Sequence, residues 1–147
     1  SVKQVEVIPT RNVAQGISAI LRWNPDGDFQ QIVDDMNDSL DEADCGEITI
    51  ATRSVSVNNV EVKKGRTIGL LNGKILVAGD SVSETCLNLL EKTDIEQRER
   101  ITLFYGSEIS EEDANGIGEL IKDKYPEHEI EVHNGGQPHY PLIISLE

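Results

Sequence analysis

The 147-residue sequence predicts an α/β fold with a mixed sheet, an antiparallel meander and flanking helices. Three patterns point there. Apolar residues recur at helical spacing behind Asn12, Asp28, Ser81 and Ser110, four residues of the type that caps helices. The hydrophobic period changes to 2 between residues 45 and 79, around the pairs Asn58-Asn59 and Asn72-Gly73. Two apolar runs near the C-terminus flank a loop crowded with glycine and proline.

Taken in order, "VKQVEVIP" reads as a strand almost from residue 2. In "TRNVAQGISAILRW", Asn12 with Gln15 has capping-box spacing, and Val13, Ile17, Ile20 and Leu21 recur at helical spacing. Asp28 with Gln31 opens a second helix striped by Phe29, Ile32, Val33, Met36 and Leu40. "EITIATRSVSV", "VEV", "TIGLL" and "KILVAG" then alternate as strands, so residues 45–79 are expected to form a four-stranded antiparallel meander. Ser81 with Glu84 caps a third helix, and "RITLFYG", apolar on both faces, reads as a central strand. Ser110 opens a fourth helix, with acids in its first turn and Lys122 and Lys124 in its last, as the helix dipole favours. "EIEVHN" and "LIISL" close the chain, the latter as an interior strand. The expected divisions are therefore 1–44 (a strand and two helices), 45–79 (the meander) and 80–147 (an α/β remainder).

Composition narrows the function. Lys and Arg total 13 against 27 Asp and Glu, a net charge of −14 that disfavours nucleic acid and anionic membranes. Cys45 and Cys86 show no metal-ligand spacing and read as small buried thiols in a reducing compartment. No apolar run is long enough for a membrane span, so a cytoplasmic location is expected. The strand beginning almost at residue 2 is the pattern expected of a fragment of a longer protein.

Two loops have the chemistry of a binding site. Gly135 and Gly136 can expose their N–H groups as an anion-holding nest, with Gln137, His139 and Tyr140 adding polar groups and Pro138 and Pro141 fixing the shape. The same residues also suit a plain connection between two strands. "PTRNVAQG" joins a strand to a helix N-terminus, where Thr10 and Arg11 can supply a hydroxyl and a guanidinium to an anion, or it is an ordinary capped turn. The acidic run from Asp26 to Glu47, with nine carboxylates and no Lys or Arg, is a solvated face or a dock for a basic partner. His128, His133 and His139 do not make a firm metal-ligand set. No phosphate loop, nucleophile elbow, dinucleotide fingerprint or kinase motif is present, so no catalytic residue is assigned.

"VEVIPTRNVAQGISAIL" resembles the "VVPTRTIPQGIAALL" stretch of a known domain, the C-terminal domain of the ATP-binding subunit of bacterial fatty-acid kinase. "VEVKKGRTIGLLNGKILVAGD" is similar to that domain's hairpin region, and "EVHNGGQPHYPLIISLE" resembles its terminal "NGGQPxYPxIISxE". The resemblance runs in order over most of the chain. It implies a DegV-like lobe and a parent protein with a dihydroxyacetone-kinase-like (DhaL) domain that holds ATP and magnesium. No cofactor is expected in residues 1–147 themselves. It further implies a non-catalytic module that engages the rest of its parent chain and a separate, fatty-acid-carrying DegV-like subunit. The residues then expected to meet the partner or an anion are Thr10, Arg11, Gln15, Gly16, Gly135, Gly136, Gln137 and Tyr140. A Rossmann-like half is expected before residue 1. Asn12-Val13-Ala14 stand where the family has Thr-Ile-Pro, and His139 occupies a variable position. The alternative is a ligand-binding or enzymatic domain of another DegV-like protein, with an anion site near Thr10-Arg11 and Gly135-Gly136.

Overall fold

The computed structural model describes residues 2–147 and comprises two compact units, one up to Asp44 and one from Cys45 to Glu147. The first unit is helical. Helix α1 (Val13–Leu21) begins where the Asn12 side chain accepts a hydrogen bond from the Gln15 N–H at 2.9 Å. Helix α2 (Phe29–Asp38) begins where Asp28 accepts from the Gln31 N–H at 3.1 Å. A single 3₁₀ turn, Ser39–Asp41, follows and packs on α1. Ala14, Ala19 and Val33 are buried.

The expected strand at the start of this unit is not formed: residues 2–11 carry no strand assignment, and Val2, Val5 and Val7 are exposed. A strand exists only as part of a ladder with a neighbour. The other elements of this unit are helices, so the valine-rich stretch has no strand to pair with.

The second unit is a mixed sheet with a helix pair. Its strands are β1 (Asp44–Ile50), β2 (Val55–Val57), β3 (Val60–Val62), β4 (Thr67–Leu71), β5 (Lys74–Gly79), β6 (Arg100–Tyr105), β7 (Glu129–Asn134) and β8 (Leu142–Leu146). Its helices are α3 (Val82–Glu91) and α4 (Glu111–Lys124). Six strands form one sheet in the order β5-β4-β1-β8-β6-β7, while β2 and β3 pair only with each other. The continuous four-stranded meander expected over residues 45–79 is therefore corrected. β1 pairs antiparallel with β4, from Gly46 opposite Leu71 to Ile50 opposite Thr67, and the β2–β3 hairpin is set apart.

The break is set by hydrogen bonds at Ala51. The Ala51 N–H donates to the Arg66 carbonyl at 2.8 Å and the Ala51 carbonyl accepts from Gly65 at 2.9 Å, so the ladder closes there and Thr52–Ser54 leaves the sheet. Both predicted turns form, with positive φ at Asn58 (51°), Asn59 (61°), Asn72 (49°) and Gly73 (85°). Asn72 does more than turn: its side chain accepts from the Cys45 N–H and its N–H donates to the Cys45 carbonyl.

β6, α4 and β7 make a parallel crossover, and β8 runs antiparallel to β6. α3 packs on β4 and β5, and α4 on β6 and β7. β8 lies between β1 and β6 and is buried at all five residues, as "LIISL" predicts for an interior strand. Ile48, Leu89, Leu90, Ile101, Leu103, Ile121, Leu142 and Ile144 form the core around it. Each such side chain contributes roughly 1.5–3 kcal/mol by leaving water.

Candidate functional site

The loop from Gly135 to Pro141 connects β7 to β8 and folds onto the end of β6. The N–H groups of Gly135 and Gly136 both donate to the Tyr105 carbonyl, at 2.9 and 3.2 Å. They are consumed by the scaffold, which corrects the expectation that they stand open to an anion. The Gln137 carboxamide turns inward too: its Nε2 donates to the carbonyls of Phe104 (2.9 Å) and Tyr140 (3.0 Å). Ser107 donates from its N–H to the Gln137 carbonyl, and Gly106 to the Pro141 carbonyl, both at 3.0 Å. The Thr49 hydroxyl on β1 donates to the His139 carbonyl at 2.6 Å.

Two glycines are required by this folding. Gly136 has φ 66°, and a Cβ on Gly106 would lie 2.4 Å from the Gln137 carbonyl oxygen. His139 sits at φ 68°, a left-handed residue that contributes its backbone to the fold. What the loop presents outward is Pro138, His139 and Tyr140, held from below by β6 and β1.

The second predicted group lies in the other unit. The Gln15 side chain spans two places: its Oε1 accepts from the Arg11 N–H at 2.8 Å, and its Nε2 donates to the Leu40 carbonyl at 3.1 Å. It therefore caps α1 one residue earlier than a capping box would, and ties α1 to the 3₁₀ turn. Thr10 and Arg11 are exposed, and the Thr10 N–H donates to Ile8 at 2.8 Å. A Cβ on Gly16 would meet nothing within 4 Å. Thr10, Arg11, Gln15 and Gly16 are thus brought together around the start of α1, and Gly135, Gly136, Gln137 and Tyr140 around the end of β6, in separate units.

The histidines are scattered in role. His128 Nε2 lies 2.7 Å from the Ile95 carbonyl, His133 lies beside Glu131 and stacks on Phe104, and His139 is at the loop tip. Among the described residues no three His, Cys, Asp or Glu side chains gather as a metal-ligand set. Cys45 and Cys86 are free and buried, and burial pushes the Cys86 thiol up to about 12.

One concavity was missed by reading motifs. A cleft of about 1100 Å³ lies between the start of α3 and the outer face of α4, lined among others by Val82, Ile109, Glu112, Gly116, Glu119 and Leu120. Its sequence signal is faint: a glycine in mid-helix and Leu120 on a face otherwise polar.

The fold places the chain in a recognisable class. It superposes on the fatty acid kinase (Fak) B3 protein of Streptococcus pneumoniae loaded with linoleic acid, with a TM-score of 0.52 at 12% identity, over 82% of this chain and 50% of that one. It superposes equally, TM-score 0.52 at 12% identity, on a fatty-acid-binding DegV family protein from Thermus thermophilus, over 90% of this chain and 55% of that one. The architecture is that of a DegV-type α/β protein.

In sequence, protein YloV of Bacillus subtilis is 34% identical over 145 residues, 99% of this chain and 26% of that protein. An uncharacterized protein of Staphylococcus haemolyticus is 32% identical over 141 residues, 96% of this chain and again 26% of the relative. The chain spans about a quarter of the length of these relatives. The family model for the FakA-like C-terminal domain of fatty acid kinase matches residues 1–147, and the chain belongs to that family. No helix among the described residues is long and apolar enough to cross a membrane.

Proposed function

We propose that this chain is the non-catalytic C-terminal module of a fatty-acid kinase ATP-binding subunit, and that it engages the acyl-carrying DegV-like partner subunit. The observation that carries this is the family match over every residue of the chain. The fold it shares with proteins described as loaded with linoleic acid or as binding fatty acid supports it further. Under this reading ATP, magnesium and phosphoryl transfer belong to the remainder of the parent protein, in the cytoplasm. The rest of that parent also supplies the neighbours that the strand-like residues 2–8 lack here.

The exposed tip Pro138–Tyr140 is a rigid contact rather than an anion trap, since the glycine N–H groups below it are already bonded. Thr10 and Arg11 offer a second exposed contact. The alternative, an anion-capturing domain of another DegV-like protein, loses support for the same reason at Gly135-Gly136. The test is to delete residues 1–147 from the full-length parent protein and follow phosphorylation of the carrier-bound fatty acid. The expected result is loss of carrier binding and acyl phosphorylation with nucleotide binding intact. Unchanged carrier affinity would overturn the proposal.

A further inference from the structure

Gly116 stands in the middle of α4, and a Cβ there would meet no atom within 4 Å beyond its own stretch of helix backbone. A glycine inside a helix weakens it relative to alanine, and one with no internal steric reason leaves room for another backbone to approach. It lines the cleft between the start of α3 and α4. Around it the cleft is apolar at Val82, Ile109 and Leu120, and Leu120 is 47% exposed, one of few large apolar side chains left in water by this unit.

Its rim is acidic. Glu111, Glu112, Asp113 and Glu119 line it, no Lys or Arg does, and no ion pair among the described residues engages any of the four. The three acids of the first turn complement the helix dipole and by themselves indicate nothing. Glu119, Gly116 and Leu120 lie beyond that turn and have no such explanation.

We propose that this cleft is a protein-docking groove. Its occupant is a segment of the DegV-like partner protein that carries two or more Lys or Arg around an apolar side chain. The apolar residue would seat against Ile109 and Leu120, the backbone would approach closely over Gly116, and the cations would meet Glu112 and Glu119. The groove's chemistry stands on its own, while the partner's identity rests on the proposed function.

Two arms separate these. First, a synthetic amphipathic Lys/Leu peptide is titrated into the isotopically labelled chain. Backbone shifts are expected at Ser81–Ser83 and Ile109–Leu120. Shifts confined to the acidic face of α2 (Asp34, Asp35, Asp38), or no binding, would overturn the groove. Second, the fatty-acid-loaded partner is bound to the full-length parent protein carrying Gly116→Met or the pair Glu112→Lys and Glu119→Lys. Gly116→Met should raise thermal stability, since methionine is the better helix former, yet weaken binding about tenfold or more. The charge reversal should weaken it and flatten its salt dependence. Partner binding unaffected by either variant would overturn the occupant assigned to the groove. Failure of the unaltered parent protein to bind the partner at all, with the peptide still in the groove, would instead sink the proposed function.

Discussion

Gln137 shows how a residue can look like a ligand-binding group and serve the fold. Its amide reaches two backbone carbonyls, and its removal loses both bonds. Gln137→Ala should therefore destabilise the chain by about 1–3 kcal/mol in denaturant melts. Gly136→Val, which forces a branched side chain into a left-handed backbone, should cost roughly 1–3 kcal/mol. Unchanged midpoints for both would show that the loop does not depend on these bonds.

Glu47 on β1 makes a separate prediction. Burial raises its carboxyl pKa above the ordinary value, so the folded state favours its neutral form. Its contribution is fully present below the unfolded pKa and lost as pH rises through the folded one. Glu47→Gln, a permanent mimic of the neutral form, should raise the melting temperature near pH 7 and give no gain at strongly acidic pH. A gain that is equal at both would refute this.

At the scale of elements, caps, turns and the two hairpin pairings they make were legible, and the longer-range pairings were not. All four predicted helices begin one residue after the capping residue read from the sequence, because a cap is settled by atoms three residues apart. Asn58-Asn59 and Asn72-Gly73 turn as expected, for the same reason of locality. What local pattern cannot say is which strands lie side by side beyond a hairpin. In "EITIATRSVSV" the apolar positions slip phase between Ile48/Ile50 and Val55/Val57, but that slip alone does not say that Ala51 bonds to Arg66 and Gly65 and that the strand divides there. "VKQVEVIP" is rich in valine and reads as a strand as well, and forms none where it has no neighbour.

The loop's chemistry was half legible. Its rigidity follows from Gly and Pro, but that both glycine N–H groups meet one carbonyl of β6 is a long-range fact. Side chains also tie down backbone at the helix entries. Gln15 and Glu84 each reach the backbone N–H one residue before the cap, Arg11 and Asp80 respectively. Gln15→Ala also cuts the tie to Leu40. It should lower stability by about 1 kcal/mol or more, against less for Glu84→Ala, measured in one denaturant series.

At the scale of the whole molecule, charge and core pull in opposite directions. A net charge of −14 makes the chain repel itself, and salt screens that repulsion. The melting temperature is expected to rise as NaCl goes from low to moderate concentration, and a fall would indicate that the surface ion pairs matter more than the excess charge. The core is the counterweight. Ile144 is fully buried on β8, and Ile144→Ala should cost about 2–5 kcal/mol, a large share of a small domain's stability.

The place of β8 in the sheet also dictates when the sheet can exist during synthesis. Without Leu142–Leu146 the sheet is two separate pieces, β5-β4-β1 and β6-β7, each with a bare edge where β8 belongs. A ribosome delivers the chain from the N-terminus at about 5–20 residues per second. Both edges are therefore made before the strand that joins them, the earlier one by several seconds. For that interval the nascent chain carries open, apolar strand edges of the kind that attract other strands. Its folding is a waiting problem: the sheet completes only after β8 has cleared the exit tunnel, and the cell's chaperones have those seconds in which to keep the two edges from meeting the wrong partner.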